Sequence, residues 1–321
     1  MLSVIIPNYN GERLVREFFP SVLAAVAACA GPKEVIFADD CSSDASVRLA
    51  IELGEQYGFV KTVVREVNGG FSRTCNYGAG HASGDILFFL NNDVSLDPDY
   101  FASFRRYFEA EEVFALAPSG YRYPTGEQID GAKTVLWRNG YPRFTRNILD
   151  GEMRQPAPLT SLRSFGVQGA YFFVDAVKFR RLGGFDELYS PYILEETDLC
   201  YRALKRGWTI LYGPDFRGHH RVGASIDPKG SRETQIIAAR NQLIFVWKNI
   251  HSNGLLMSHL VFLGLGLLAP DLVKWSAFLK ALRLLPDIVR RRRAEKAAAL
   301  ITDGELLRSC LDYIHAVRPR D

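Results

Sequence analysis

The chain reads as an α/β protein: a mostly parallel sheet with helices on both faces, then a separate C-terminal helical segment. Three observations predict this. Over roughly the first 120 residues, short β-branched runs alternate with stretches of helical spacing. The strand runs are apolar throughout, as in sheets covered on both faces. From about residue 230 the pattern is wholly helical. With 321 residues, 47% of them apolar, there is chain enough for one large core plus an appendage.

The elements follow in order. Leu2–Pro7 is a first strand. Helix 12–29 puts Leu14, Val15, Phe18, Phe19, Val22, Leu23 and Val26 on one face. Val35–Ala38 is a second strand, 46–57 is a helix with Val47, Ala50, Ile51 and Leu53 apolar, and Val60–Val64 is a third strand. The small-residue run FSRTCNYGAGHA is a helix, Ile86–Leu90 a fourth strand, 99–110 a helix and Val113–Ala117 a fifth strand. Residues 121–165 lack a period and read as a long excursion or hairpin. Then VQGAYFFV is a strand, DAVKFRRLGGFDE a short helix ending at Gly183-Gly184, EETDLCYRALKRGW a helix and TILYGP a strand.

In such a sheet, ligands bind beyond the carboxyl ends of the strands. Three polar clusters sit there: Pro7-Asn8-Tyr9-Asn10, Asp39-Asp40-Cys41-Ser42-Ser43-Asp44 and Asn91-Asn92-Asp93. One acid of the second cluster serves as a helix cap, but capping accounts for one carboxylate, not for three clusters. Asp93 closing a buried strand at this rim suits a divalent cation bridging the phosphates of a nucleotide. Mg²⁺ and Mn²⁺ take oxygen ligands, often one or two carboxylates plus substrate phosphate. Glu195, Glu196 and Asp198 crowd the first turn of one helix, where a single acid would satisfy the dipole; a general base or a metal-linked role fits the surplus. His219 and His220 follow a strand, and either is a candidate ligand. GAGHAS does not follow the first strand and lacks the third glycine of a dinucleotide fingerprint, and neither a P-loop nor GxSxG is present.

Seven blocks in fixed order, SVIIPNYN, FADDCSSDAS, NGGFSRTCNYGAGHASGDILFFLNNDVSLDPD, RRLGGFDELY, EETDLCYRALKRGW, GHHRVGAS and ARNQLIF, closely resemble a family 2 inverting glycosyltransferase of GT-A fold. They cover about residues 2–245, and rhamnosyltransferase-like bacterial members are the nearest in character. The resemblance implies sugar transfer from a nucleotide-diphosphate donor, dTDP-rhamnose or a UDP-hexose, to a hydroxyl of a glycan or lipid-linked acceptor in cell-surface polysaccharide synthesis. It implies a donor site of Pro7, Tyr9, Asn10, Asp39, Asp40, Asn68, Arg73 and Asn92, with Pro7 and Tyr9 against the base and Asp40 its likelier polar contact. It places Mg²⁺ or Mn²⁺ on Asp93 with His219 or His220, although Asn91 stands where many members have a first Asp. Glu196 takes the catalytic-base position, usually Asp, with Glu195 as second choice. Gly184, Phe185 and Asp186 lie on the acceptor side. The alternatives are a nucleotidyltransferase, or a non-catalytic glycan- or nucleotide-binding module on the same scaffold.

The implied division is a catalytic domain over 1–228, with a nucleotide half to about 118 and an acceptor half over 119–228, and a helical region over 229–321. Residues 271–296 hold eight Lys/Arg against three acids, a net +5, where the whole chain carries +3. A basic segment on a near-neutral body points to a surface partner, not to nucleic acid. GLLMSHLVFLGLGLLAP falls short of the roughly 20 apolar residues of a span, so a buried or interfacial helix is expected. Together with the stripe Leu272, Trp275, Phe278, Leu279, Leu282 and Leu285, it marks 255–293 for peripheral contact with an anionic membrane, or else for packing on the catalytic domain. Five scattered cysteines without a CxxC pair, and no leader before the first strand, place the chain in the cytoplasm, at the inner face of the membrane.

Overall fold

A computed structural model describes residues 1–144, 147–153, 162–223 and 230–317. The expected N-terminal order is present: β1 (Leu2–Asn8), α1 (Glu12–Ala28), β2 (Lys33–Asp39), α2 (Ser46–Gly54), β3 (Val60–Val64), α3 (Phe71–Gly80) and β4 (Ile86–Leu90). These four strands pair in parallel in the order β4-β1-β2-β3. Asn8 lies opposite Asp39, so β1 and β2 end level and deliver their polar clusters to one rim. Alternate residues of each strand serve opposite layers. Val4 and Ile6 pack with Val15, Phe19 and Val22 of α1; Ile5 and Ile36 pack with Cys75 and Ala79 of α3. That two-sided burial is why the strands read as unbroken apolar runs. The small residues of α3 follow from its closeness to the sheet: a Cβ on Gly78 would sit 2.7 Å from the Ile5 side chain.

The chain continues through β5 (Val94–Leu96), β6 (Val113–Arg122), β7 (Gln128–Asp130), β8 (Ala132–Lys133), β9 (Leu136–Arg138), β10 (Tyr141–Arg143), β11 (Asn147–Ile148), β12 (Arg163–Ser164) and β13 (Tyr171–Asp175), of which β8 with β11 and β9 with β10 form separate two-stranded ribbons. Next come α4 (Ala176–Arg181), α5 (Glu195–Lys205) and β14 (Thr209–His220). The main sheet runs β12-β14-β6-β13-β4-β1-β2-β3, with β13 antiparallel to β4 and β6. The irregular stretch resolves into short ribbons. One is the β9–β10 hairpin, whose turn is Asn139-Gly140, both at positive φ, the two-residue turn that Asn-Gly favours.

Two expectations are corrected. No α-helix spans 99–110; only a 3₁₀ turn forms, at Phe104–Phe108. Tyr100, Phe101, Phe104 and Tyr107 all bury against the sheet, Phe104 stacking on Phe173 at 5.4 Å, while Ser103, Arg106 and Tyr107 all bond Asp215. Anchoring so many side chains outweighs a regular helix, whose propensity is a weak prior. The strand TILYGP does not stop at Pro214. It passes an irregularity between Gly213 and Arg217 and ends at His220, paired with β5, so both histidines lie within the strand.

The C-terminal region is helical as expected: α6 (Arg232–Asn249), α7 (Asn253–Leu267), α8 (Leu272–Arg283), α9 (Leu285–Ala298) and α10 (Asp303–Val317). The expected boundary at 228/229 lies outside the described residues, as do Ala224 and Ser225 of the GHHRVGAS block. Helix α8 buries Ala277 and Ala281, and α9 buries Ile288. Asp303, 1% exposed, accepts from Lys205 and Tyr201 of α5 and from the backbone N–H of His251 and Ser252. Of the four consecutive arginines, Arg291 pairs with Asp186 and Arg292 donates to the carbonyls of Trp247 and Ile250, so half of that run is structural. No described helix is long and apolar enough to cross a membrane.

Candidate active site

The level ends of β1, β2 and β4 are tied by one amide. Asn8, 3% exposed, donates to Asp39 Oδ1 at 2.7 Å and to Ser46 Oγ at 2.9 Å, and accepts from Asn92 Nδ2 at 2.7 Å. Asp39 is fully buried behind the rim and also accepts from Ser42 N and Oγ. Each polar side-chain atom of Asn8 and Asp39 thus has a partner, as desolvation requires. Asp40 reaches the next loop: its carboxylate accepts from Gly69 N, Gly70 N and Arg65 at 2.7–2.9 Å.

These ends open into a cavity of about 560 Å³. Pro7, Tyr9, Asn10, Asp40, Asn68 and Asn92 line it, so six of the eight expected donor residues meet there. Tyr9 is 55% exposed, a large aromatic face held at the mouth of a polar cleft. Asp39 supports the wall from behind. Arg73 does not line the cavity; it pairs with Glu187 at 3.1 Å. Asn8, Tyr192 and Thr234 also line it without having been singled out. Tyr192 and Thr234 carry no local signal, because they reach the cavity from distant parts of the chain; their hydroxyls lie 3.4 Å apart.

Asp93 follows β4 and is 1% exposed. The β5–β14 pairing sets His220 opposite Val94 and His219 opposite Ser95. Neighbouring strand residues face opposite ways, so the two histidines separate: His220 Nε2 lies 3.4 Å from Asp93 Oδ1, and His219 Nε2 lies 3.4 Å from Asp97 Oδ1. Among the described residues no group of three or more His, Cys, Asp or Glu could hold a metal. A carboxylate beside an imidazole, one residue from the cavity-lining Asn92, is a small donor set of the kind that suits Mg²⁺ or Mn²⁺, which commonly keep few protein ligands. Asp93 and His220 are the residues that would hold such an ion.

Glu195 and Glu196 open α5. The preceding segment is over-determined: Asn241, fully buried, donates to the carbonyls of Tyr189, Tyr192 and Ile193 at 2.8–2.9 Å, and Arg240 donates to that of Ser190. The Glu196 carboxyl comes up beside Gly169, where a Cβ would lie 3.6 Å from Cδ. The adjacent Ala170 carbonyl accepts from Asn91 N at 2.7 Å, so Glu196 stands at the same rim as the β4 cluster. Burial raises both carboxyl pKa values. Glu195 is the more strongly raised, by burial and then by its neighbour's charge. Glu196 is restrained by backbone and Thr197 hydrogen bonds and by the Lys133 ammonium. Burial thus disfavours ionisation of both carboxyls, and the charge of Glu196 disfavours that of Glu195 further.

Asp198 faces away, as its place in the helix predicts. It bonds Arg202, Lys248, Tyr189 and Asn249. Burial opposes its ionised form, but the Lys248 and Arg202 charges prevail and hold the pKa well below the carboxylate range. The three expected acceptor residues sit in the packing. Phe185 is buried among Phe71, Phe89 and Phe179, Asp186 pairs with Lys248 and Arg291, and the Gly184 carbonyl accepts from Arg202.

Comparison with known proteins follows this geometry. The family model described as "Glycosyl transferase family 2" matches residues 3–167. The chain belongs to that family. A protein of Mycobacterium tuberculosis (strain CDC 1551 / Oshkosh) named "Putative glycosyltransferases" is 32% identical over 97 residues, 30% of this chain and 28% of that protein. An N-acetylglucosaminyl-diphospho-decaprenol L-rhamnosyltransferase of the same organism is 26% identical over 246 residues, 69% of this chain and 76% of that protein. The first curated relatives are matched over only 28% and 31% of their own lengths. The crystal structure of GalNAc-T7 with UDP, GalNAc and Mn²⁺ superposes with a TM-score of 0.60 at 19% identity, covering 77% of this chain and 48% of that one. The fold is that of the GT-A glycosyltransferases.

Proposed function

We propose that the chain is an inverting glycosyltransferase that moves a sugar from a nucleotide-diphosphate donor to an acceptor hydroxyl. One observation carries the reading: side chains from three strand ends line a single cavity, and the two glutamates that open α5 stand at the same rim. Tyr9 offers a face for the base and Asp40 a fixed carboxylate beside it. Asp93 and His220 would hold a divalent ion, which when bound would neutralise charge on the leaving diphosphate. Glu196, ionised, accepts the proton of the acceptor hydroxyl. That oxygen bonds to the anomeric carbon as the carbon–oxygen bond to the diphosphate breaks on the opposite face, inverting the configuration. Burial and the charge of Glu196 disfavour a second ionised carboxylate at Glu195.

The donor is dTDP-rhamnose or a UDP-hexose. The relatives support both: one is named as an L-rhamnosyltransferase acting on a diphospho-decaprenol substrate, and one structural neighbour carries UDP. Thermal shift with each nucleotide sugar, with and without Mn²⁺, separates them. In the same reading the acceptor is a glycan or lipid-linked saccharide in cell-surface polysaccharide synthesis. The chain works at the inner face of the membrane, touching anionic lipid through 255–293. Helix α7 supports this contact: only His259 of its fifteen residues is buried, and Met257, Leu260, Val261, Leu265 and Leu268 face solvent. An apolar surface this continuous marks an interaction site, and Lys274, Lys280 and Arg283 follow it.

The test is Glu196→Gln. It should lower turnover by about 10²–10⁴-fold, the typical contribution of a general base, while nucleotide-sugar affinity stays within about twofold. Near-normal turnover would remove Glu196 from the role.

A further inference from the structure

A second cavity lies on the far side of the Glu195–Glu196 turn. It encloses about 210 Å³ between the β9–β10 hairpin and α6, and Tyr141, Arg143, Phe144, Leu194, Thr197 and Gln242 line it. Its floor is the catalytic helix itself: Leu194 immediately precedes Glu195, and Thr197 Oγ1 donates to Glu196 Oε1 at 3.2 Å. Its walls are aromatic, Phe144 meeting Phe245 edge-on at 5.7 Å. Its one cation, Arg143, lies over the Tyr141 ring at 5.7 Å and has no carboxylate partner among the described residues.

The hairpin that forms this slot is fastened to the exposed apolar helix. A Cβ on Gly140 would come within 3.0 Å of His259 Cα and 2.9 Å of Phe262 Cβ, so the tip seats directly on α7. His259 fixes it, Nδ1–H donating to the Gly140 carbonyl at 2.9 Å and Nε2 accepting from Trp247 Nε1 at 3.0 Å. Burial lowers the His259 pKa, which agrees with this neutral tautomer. Tyr141 packs edge-on against His259 at 4.8 Å. Apolar surface therefore runs from α7, across Tyr141, into a slot that Arg143 lines together with Leu194 and Thr197, the residues on either side of the two glutamates.

We infer that this slot binds the phosphate-bearing end of a lipid-linked acceptor, Arg143 taking the phosphate, the aromatic walls the adjoining apolar or sugar portion, and the lipid tail running out over α7. The inference rests on the glycosyltransferase reading and specifies its acceptor. Free phosphate or a nucleotide offers the same anion without the tail, so affinity for the tail is the discriminating property. An arginine without a carboxylate partner among the described residues matches a phosphate as a planar, bidentate donor.

The experiment measures calorimetric affinity of the full chain for geranyl diphosphate, inorganic diphosphate and geraniol. Geranyl diphosphate should bind at least tenfold more tightly than either fragment. Arg143→Gln removes the cation, and Gln242→Trp, at an exposed position, fills the slot. Each should weaken geranyl diphosphate about tenfold while leaving nucleotide-sugar affinity and melting temperature unchanged. Geranyl diphosphate that binds no better than inorganic diphosphate, or binds equally well to both variants, overturns the assignment. Nucleotide-sugar binding is read in the same samples. Its presence without geranyl diphosphate binding sinks only the slot, whereas its absence sinks the transferase reading.

Discussion

Replacing Lys248 by Met tests whether the charged core beneath α5 holds the catalytic turn in place. The Lys248 ammonium is 1% exposed and lies 2.6 Å from both Asp186 Oδ2 and Asp198 Oδ1. Removing one partner of a buried pair typically costs about 3–5 kcal/mol. Here two carboxylates lose a cation, yet each keeps another: Asp198 keeps Arg202 at 2.7 Å, and Asp186 keeps Arg291 at 2.7 Å. The lower end, about 3 kcal/mol, is the expected loss. At about 2–4 °C per kcal/mol for domains of 150–250 residues, the melting temperature should fall by about 6 °C or more. Urea unfolding at neutral pH reads the loss directly. The sign with pH is also fixed. The Asp198 pKa is depressed in the folded state, so its contribution is present above the ordinary carboxylate range and is lost as pH falls through the folded value. Without Lys248 that folded value moves up, and acid unfolding should begin at higher pH in the variant. A stability loss below about 1 kcal/mol with an unmoved acid limb would refute the reasoning.

Further tests follow from the site. Asp93→Ala should abolish the Mn²⁺-dependent part of nucleotide-sugar binding; an unchanged metal titration takes Asp93 out of the cation site. Because the Glu196 pKa is raised, kcat/KM should fall with acid along a limb lying above the ordinary glutamate range of about 4.3. Lys133→Met removes a charge that favours the ionised form, so it should move that limb to still higher pH; a limb that stays put or moves down contradicts the assignment. In flotation at low salt the chain should bind vesicles containing phosphatidylserine and release them at high salt, and a Leu260→Ser/Leu265→Ser double variant should bind at least tenfold less; equal binding by the double variant rejects α7 as the contact.

What could be read in the sequence was whatever local pattern determines. Apolar runs located β1, β2 and β4 because two-sided burial demands them, and the polar residues just past their ends marked the rim. The pattern failed where tertiary contacts decide. The spacing of Tyr100, Phe101, Phe104 and Tyr107 suits a helix face, but stacking on Phe173 and the common anchor Asp215 broke the helix. Asn8 looked like one more polar rim residue; its importance comes from hydrogen bonds to residues 31 and 84 positions away. His219 and His220 could not be separated until the register of β5 against β14 was known. The Asn139-Gly140 pair was a legible hairpin signal within 121–165, and the strand that follows it forms one wall of the second slot.

The segment before Glu195 explains why such remote residues must act together. Ile193 and Leu194 both adopt left-handed backbone, φ 80° and 78°, which costs a non-glycine residue roughly 1–3 kcal/mol and persists only where surrounding structure enforces it. Asn241 enforces it from α6 by gripping three carbonyls of that segment. On the other side the Pro191 carbonyl accepts from Phe71 N at 3.0 Å and crowds Gly70, where a Cβ would come within 2.7 Å of it. Gly70 N in turn donates to Asp40. The loop that aims the glutamates is thus braced against the loop that fixes the donor-side carboxylate, with α6 closing the brace from outside the sheet. A change at Asn241 or Gly70, neither of which is assigned to the chemistry, should therefore disturb donor binding and turnover together. That coupling requires the helical region to form part of the site, which the contribution of Thr234 to the cavity wall independently supports.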